Sequence, residues 1–135
     1  MPGLPSGYVE TRLVDPFEIH VGPVYEQGLP GSKRYALRVD ARHVNMRGVV
    51  HGGMYLTFAD AALGQAAWDA TAHAPSVTLS MQAQFSRSAY LGDLIEVMPE
   101  VTRKTQALLF IRGDFKVSGE MVFSVQSLWK LLGRG

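Results

Sequence analysis

Apolar and polar residues alternate most regularly between residues 76 and 86. Val77, Leu79, Met81, Ala83 and Phe85 fall on one face of this segment, and polar residues separate them. Such alternation predicts a strand that is buried on one face. Five further runs are strand-like, at residues 17–27, 34–44, 93–104, 107–118 and 120–132. The pattern therefore predicts two strands in the first third of the chain and four in the second half.

Residues 51–68 do not alternate. They are rich in alanine, contain no proline, and have the length of a helix of about five turns. One apolar helix packs on one face of an antiparallel sheet. The order of elements predicts an α+β protein with the hotdog fold, an antiparallel sheet of five or six strands wrapped around one long central helix. We expect residues 1–16 to form an N-terminal arm, with a short helical turn near residues 9–14, and residues 17–135 a single hotdog domain.

Composition narrows the function classes. The chain has 135 residues, a net charge of +1 with interspersed signs, and no cysteine. This balance argues against nucleic acid as a partner, and the lack of cysteine excludes disulfides, thiolate catalysis and zinc–sulfur sites. The four histidines lack metal-ligand spacing, so we predict no metal. Without a signal-peptide core or an apolar run long enough to cross a bilayer, we expect a cytoplasmic protein with no membrane partner.

A lone carboxylate makes the predicted helix unusual. Asp60 is the only charged residue between Arg47 and Asp69, and on a helical wheel it shares a narrow stripe with Gly53, Thr57 and Gly64. The stripe fits either an exposed helix face or a functional groove. In the functional interpretation, glycine-exposed N–H groups at the helix start bind a carbonyl oxygen, and Asp60 acts as general base or nucleophile.

The spacing of the two parts predicts a dimer. Gly52 and Asp60 are eight residues apart, or about 12 Å along a helix axis. The Gly52 N–H and the Asp60 carboxylate of one chain therefore cannot act on the same thioester carbonyl. An antiparallel helix of a second copy would bring Asp60 to the first chain's Gly52, which predicts a homodimer with two shared active sites.

The ordered residues around the helix start resemble a known family. The string from His43 to Gly53, with the spacing N-x-x-G-x-x-H-G-G-x6-D that ends at Asp60, resembles the signature of hotdog-fold acyl-CoA thioesterases of the phenylacetate-degradation (PaaI) type. The segment VTLSMQAQFSRSAYLGD, residues 77–93, is also similar to that family. The resemblance extends from about residue 35 to the C-terminus.

This resemblance implies hydrolysis of an acyl-CoA thioester to a carboxylic acid and CoA, with no cofactor. It implies that the Gly52 amide polarises the thioester carbonyl and that Asp60 of the partner subunit is the general base or nucleophile. Asn45 would bind the attacking water or the carbonyl, and His51 would orient the thioester. Thr78, expected on the polar face of its strand, would orient the acid or the water. Asn45 and His51 also suit simple capping of the loop and helix, and Thr78 suits an ordinary strand.

The resemblance also implies substrate-binding residues and an assembly. Gly53 lies beside the proposed carbonyl site, and Arg87, Arg103 and Lys104 are candidates for the CoA phosphates. At the turn after Lys104 the family often has Arg/Lys-x-Gly, whereas this chain has Thr105 and Gln106. The expected assembly is the homodimer or a homotetramer of two such dimers.

Two other functions fit a hotdog domain. A non-catalytic acyl-CoA-binding domain would share the fold and the glycine turn but would not need Asp60. A dehydratase or hydratase acting on acyl thioesters would have a different helix-entry motif, and neither H-F-P-G nor D-x-N-P-x-H occurs here. The acyl group itself is not predicted by the sequence.

Overall fold

An antiparallel sheet curves around one long helix in the computed structural model, which describes residues 3–12 and 15–133. Within those residues the elements are β1 (Val9–Glu10), α1 (Pro16–Val21), β2 (Tyr25–Gln27), β3 (Arg34–Arg38), α2 (Gly52–Ala70), β4 (Ser76–Phe85), β5 (Leu94–Val97), β6 (Glu100–Lys104), β7 (Leu108–Val117) and β8 (Glu120–Leu131). Seven of the eight strands run in the order β1-β2-β3-β5-β7-β8-β4, and the eighth, β6, pairs with β7. The predicted hotdog fold is confirmed, although the sheet has eight strands where five or six were predicted.

Helix α2 fills the concave side of the sheet. Its buried face combines large and small side chains, among them Met54, Tyr55, Phe58, Ala59, Ala62, Leu63 and Ala67. Phe58 meets Phe115 of β7 edge to face at 5.3 Å between ring centroids, and Tyr55 stacks on Phe123 of β8 at 5.1 Å. Burial of one such side chain stabilises the fold by about 1.5 to 3 kcal/mol. The predicted helix over residues 51–68 is confirmed, with one further half-turn at its end.

The predicted strand over residues 17–27 is wrong in its first half. Residues 16–21 form α1, and only Tyr25–Gln27 form a strand. Asp15 is the N-cap of α1 because its carboxylate accepts the Glu18 N–H at 2.8 Å, and Pro16 supplies the fixed φ of a first helical residue. This helix-start signal is stronger than the β-branched residues that suggested a strand.

Three other segments differ from their predictions. The predicted strand over residues 34–44 ends at Arg38, because the Asp40 carboxylate accepts the Arg42 N–H at 2.9 Å in the turn that follows. In place of the helical turn near residues 9–14, Val9–Glu10 forms a strand that pairs with β2; residues 13 and 14 lie outside the described part of the chain. The predicted strand over residues 93–104 is two strands, β5 and β6, with Met98 and Pro99 between them. Proline lacks the N–H that a continuous ladder requires.

Strand β4 has one neighbour among the described strands. It pairs with β8 along its length and ends the sheet order. Its other edge carries a row of unpaired backbone groups and exposed apolar side chains, including Leu79 at 51% and Phe85 at 53% exposure. An edge of this length and apolarity is suited to pairing with another chain.

Candidate active site

Asp60 is held by a hydrogen bond from the sheet. It lies on the exposed side of α2, and the Thr78 hydroxyl of β4 donates to its Oδ1 at 2.6 Å. A hydrogen bond to a carboxylate at this distance is short and charge-assisted. Within the described residues, Asp60 Oδ2 has no hydrogen-bond partner. The carboxylate is thus fixed through one oxygen while the other is free to meet a water or a substrate.

A β-bulge brings Thr78 to Asp60. Directly opposite residues of an antiparallel pair project to the same face. Met81 lies opposite the buried Ser127, and Thr78 lies opposite the buried Trp129, so both β4 side chains point towards α2. Strict alternation would instead group Thr78 with Ser80, as predicted. That prediction is wrong because the register shifts between Thr78 and Ser80.

The start of α2 is organised by His51. His51 is the N-cap, with φ −62° and ψ 136°, and its Nδ1 accepts the Gly53 N–H at 2.9 Å. Since Nδ1 accepts, Nε2 carries the proton in the neutral ring. The Gly53 carbonyl in turn accepts the Thr57 hydroxyl at 2.8 Å. His51 therefore caps the helix, which is one of the two roles that the sequence allowed, and this contact fixes the glycine turn.

The Gly52 N–H remains available. No acceptor for it lies among residues 3–12 and 15–133, and Gly52 is exposed. A methyl group added at Gly52 would meet the Phe85 ring at 3.8 Å, an ordinary contact. A free N–H at a helix N-terminus attracts an oxygen with partial negative charge, and the helix dipole adds to that attraction.

Asn45 folds the loop that leads into α2. Its side-chain Oδ1 accepts the Arg47 N–H at 2.9 Å and the Val49 N–H at 3.4 Å, and its backbone carbonyl accepts the Gly48 N–H at 2.9 Å. Within the described residues its Nδ2 group has no acceptor. Asn45 thus makes the capping contacts of an Asx turn and keeps a side-chain donor free.

A cavity of about 410 Å³ opens beside Asp60. Its lining comes from three elements. The start of α1 contributes Asp15, Phe17 and Glu18, helix α2 contributes Leu56, Thr57, Asp60 and Ala61, and β4 contributes Thr78 and Met81. The contribution of α1 was missed from the sequence. The signal was the dipeptide Asp15-Pro16 followed by Glu18, which is typical of a helix start.

Glu18 has an altered titration in this cavity. Partial burial raises its pKa from 4.5 to about 7, with further increases from the charge of Asp15 and a hydrogen bond to it, and from the charge of Asp60. Each of these effects disfavours the charged form of the carboxyl. The site thus contains a carboxyl group that gains its charge near neutral pH.

The predicted stripe of small and polar residues on α2 is only partly open. Gly53 and Asp60 are exposed and Thr57 is half-buried. Gly64 instead packs on the sheet, because a methyl group added there would lie 3.4 Å from the Trp129 ring. The open part of the stripe therefore ends after Asp60.

The candidate phosphate-binding residues lie at opposite ends of α2. The Arg87 carbonyl accepts the Tyr55 hydroxyl at 3.4 Å near the helix start, and the Arg87 guanidinium pairs with Glu120. Lys104 Nζ donates to the Ala70 carbonyl at 2.9 Å at the helix end, beside Arg103 on β6. Fifteen helical residues separate these ends by about 22 Å. One chain thus does not bring Arg87 together with Arg103 and Lys104.

Histidine and acidic side chains are the possible metal ligands among the described residues. No three or more of them form a cluster arranged to hold a metal ion. No helix in the described part of the chain is both long and apolar enough to cross a membrane.

Comparison with known proteins identifies the family. Residues 47–124, more than half of the chain, match the family model of the thioesterase superfamily. This span includes Gly52, Asp60 and Thr78. The chain belongs to the thioesterase superfamily, and it is a thioester hydrolase of the hotdog, PaaI-like type that the sequence resembles.

Individual relatives agree with this assignment. The Pseudomonas aeruginosa protein named "Putative esterase PA0474" is 29% identical over 133 residues, which cover 97% of this chain and 99% of that protein. Human acyl-coenzyme A thioesterase 13 is 27% identical over 95 residues, covering 69% of this chain and 68% of that protein. A solved structure of a mutant of the phenylacetic acid degradation protein PaaI from Thermus thermophilus is 25% identical with a TM-score of 0.78, and the match covers 87% of this chain and 100% of that one.

Proposed function

We propose that this protein hydrolyses acyl-CoA thioesters to a carboxylic acid and CoA. The observation that carries the proposal is the Asp60 carboxylate, fixed by Thr78 at 2.6 Å with its second oxygen free beside a cavity. The likeness to human acyl-coenzyme A thioesterase 13 supports CoA as the carrier of the acyl group. Hydrolysis of a thioester needs a base that activates water and a donor that polarises the carbonyl, and a carboxylate can be that base.

The proposed reaction uses protein groups alone. The Gly52 N–H donates to the thioester carbonyl oxygen and stabilises the negative charge that develops there. Asp60 of the partner subunit takes a proton from water as the water oxygen bonds to the carbonyl carbon. The carbon–sulfur bond then breaks, and the CoA sulfur leaves with the electron pair and takes the proton that Asp60 accepted. The free Asn45 Nδ2 is suited to donate to the water or the carbonyl, and His51 keeps the glycine turn in place.

Sharing of the site between subunits is supported by two observations. Within one chain, Gly52 and Asp60 lie about 12 Å apart along the same helix. Both are exposed, and β4, which carries Thr78, ends the sheet order and has exposed apolar side chains such as Leu79 and Phe85. A twofold homodimer that pairs these surfaces would complete two sites, and two such dimers would form the homotetramer.

The test is thiol release from a panel of aryl, short-chain and medium-chain acyl-CoAs. We expect wild-type turnover and a loss of about 10²- to 10⁴-fold in kcat for Asp60→Asn. Asp69→Asn is the matched control, because Asp69 is on the same helix but pairs with Lys33 at 3.2 Å; it should keep the wild-type rate within about twofold. Lack of turnover of every acyl-CoA, or full activity of Asp60→Asn, would contradict the proposal. Binding without turnover would favour the non-catalytic acyl-CoA-binding domain.

A single turnover in ¹⁸O-water distinguishes the two roles of Asp60. If Asp60 is a general base, the water oxygen enters the product acid and Asp60 stays unlabelled. If Asp60 attacks the carbonyl carbon, an anhydride forms, and water attack at its aspartyl carbon leaves the label in Asp60. Mass spectrometry of the peptide that contains Asp60 reads the outcome directly.

A further inference from the structure

One wall of the cavity beside Asp60 is formed by residues that lie outside the part of the chain matched by the family model. Asp15, Phe17 and Glu18 line it from α1, although they precede the matched residues 47–124. The far end of α1 is anchored to the loop before the helix-entry motif. Arg42 donates to the carbonyls of His20 and Gly22, the latter at 2.6 Å, and His43 contacts the Val21 carbonyl at 2.5 Å. α1 is therefore held in place as part of the site.

The anchoring histidine is buried. His43 is 1% exposed, and its Nδ1 accepts the Asp40 N–H at 3.0 Å. Its Nε2 is then the protonated nitrogen and donates to the Val21 carbonyl. Both ring nitrogens are bonded, and this contact holds the end of α1 against the loop. The position of Glu18 relative to Asp60 is thus set by packing and hydrogen bonds.

The lining of this cavity is apolar and acidic. Its apolar surface comes from Phe17, Leu56, Ala61 and Met81. Its carboxyl groups belong to Asp15, Glu18 and Asp60. None of the described lining residues is Lys, Arg or His. The phosphates of CoA carry negative charge and are repelled by such a wall. The acyl end of a thioester substrate is therefore the part suited to enter.

We infer that Glu18 is a specificity-determining residue, which makes this cavity accept uncharged acyl groups and reject acyl groups that end in a carboxylate. The inference rests on the proposed acyl-CoA hydrolysis. The physical reason is like-charge repulsion in a partly desolvated space, where a second carboxylate near Glu18 costs more than it does in water. Discrimination of this kind works by excluding the wrong substrate rather than by adding contacts to the right one.

The charge of Glu18 is adjustable near neutral pH. Partial burial is the main cause that raises the pKa of Glu18 to about 7, and the nearby carboxyl groups of Asp15 and Asp60 raise it further. The α2 groups facing it are Asp60 and the uncharged Thr57, and β4 presents Thr78 and Met81, which do not ionise. Arg42, His20 and His43 lie at the other end of α1, where Arg42 and His43 bind backbone carbonyls. Rejection of a carboxylate should therefore strengthen between pH 6 and pH 8.

The experiment compares a matched pair of substrates. Hexanoyl-CoA and adipoyl-CoA have the same chain length and differ by a terminal carboxylate; the best chain length in the acyl-CoA panel replaces six carbons if it differs. We expect wild-type protein to prefer hexanoyl-CoA, with a kcat/KM ratio that grows from pH 6 to pH 8. Glu18→Gln should reduce the ratio at pH 8 by about tenfold and remove its pH dependence, mainly by raising kcat/KM for adipoyl-CoA. Glu10→Gln, an exposed glutamate of β1, is the control and should behave as wild type.

The outcomes separate this inference from the proposed function. If no acyl-CoA is hydrolysed, the proposed function fails. If hexanoyl-CoA is hydrolysed but the ratio is the same for wild type and Glu18→Gln at both pH values, the role of Glu18 is overturned and the function stands. An equal loss on both substrates would show a structural role for Glu18 and would also overturn the inference. A wild-type preference for adipoyl-CoA would do the same.

Discussion

The Thr78 hydroxyl is the single contact that orients Asp60 within the described part of the chain. Thr78→Val keeps the shape of the side chain but removes this donor. We expect kcat for the best acyl-CoA to fall about tenfold with little change in KM, because a hydrogen bond to a charged group contributes about 1.5 to 3 kcal/mol when well formed. Thr78→Ser should restore most of the rate. Steady-state thiol release measures both variants.

Two comparisons make this prediction specific. Thr102→Val, on β6, removes a hydroxyl that donates to the Phe110 carbonyl at 3.2 Å and should leave kcat unchanged. Combining Thr78→Val with Asp60→Asn should add no further loss, since the two residues act as one unit. A tenfold additional loss in the double variant would contradict the assigned role of Thr78.

Two glycines predict opposite effects of the same substitution. A methyl group at Gly113 of β7 would lie 2.9 Å from Val97 Cγ2, in a buried position of the core. Gly113→Ala should therefore lower the free energy of unfolding by about 1 to 3 kcal/mol. At Gly64 of α2 the added methyl group would meet the Trp129 ring at 3.4 Å, and alanine favours the helix by up to about 1 kcal/mol. Gly64→Ala should be neutral or stabilising.

Urea unfolding at one fixed protein concentration compares these two variants, because association with a second copy would also change apparent stability. Equal destabilisation by both substitutions would contradict the packing that distinguishes Gly113 from Gly64.

Residue spacing predicted part of the site. The lone charge of Asp60 and the glycines at residues 52 and 53 are visible along the chain, since helix geometry converts spacing into position. The face of Thr78 is not visible in this way. It depends on a bulge whose position is set by pairing with β8, and such pairing is non-local. The position of Glu18 was predictable, because Asp15-Pro16 just before it is typical of a helix start. The strand prediction for residues 17–27 did not take this dipeptide into account.

Helix α1 provides a stability test at the scale of an element. The pKa of Glu18 is about 7 in the folded protein against 4.5 for the free side chain, mainly because of burial and Asp15. The folded state therefore binds this proton more tightly than the unfolded chain. Its stabilising contribution is complete below about pH 4.5 and is lost as the pH rises through about 7.

Glu18→Gln removes this titration. We expect the variant to gain stability over wild type as the pH rises from 5 to 8, with little difference at pH 5, because glutamine relieves the repulsion with Asp15 and Asp60. Urea unfolding at pH 5, 6, 7 and 8 measures the difference, and Glu10→Gln serves as the control. A difference that does not change with pH would contradict the altered titration of Glu18.

Long elements were predicted better than short ones. The pattern over residues 51–68 is long enough to specify a helix without reference to the sheet, and α2 spans Gly52–Ala70. The three-residue strand β2 and the six-residue helix α1 are shorter than the windows in which periodicity is informative. Their identity depends on capping and on pairing with β1 and β3, which a hydrophobic pattern does not encode.

At the scale of the whole molecule, the proposed site is divided between two surfaces. Gly52→Pro tests the first surface, since proline removes the N–H that would bind the carbonyl. Proline is favoured at the first position of a helix, and the preceding His51 already has the extended φ and ψ that proline requires. The variant should therefore fold and keep α2 while losing most of its thioesterase activity.

Mixing two inactive variants tests whether subunits share the site. In a heterodimer of Asp60→Asn and Gly52→Pro chains, a shared arrangement leaves one site with an intact Gly52 and an intact Asp60 of the partner subunit. Random exchange makes about half of the dimers mixed, so activity should recover to about a quarter of wild type. Thiol release after mild unfolding and refolding of the mixture measures this recovery, and each variant refolded alone is the control. If both groups acted within one chain, no mixture would recover activity, because every chain carries one damaged half of its own site.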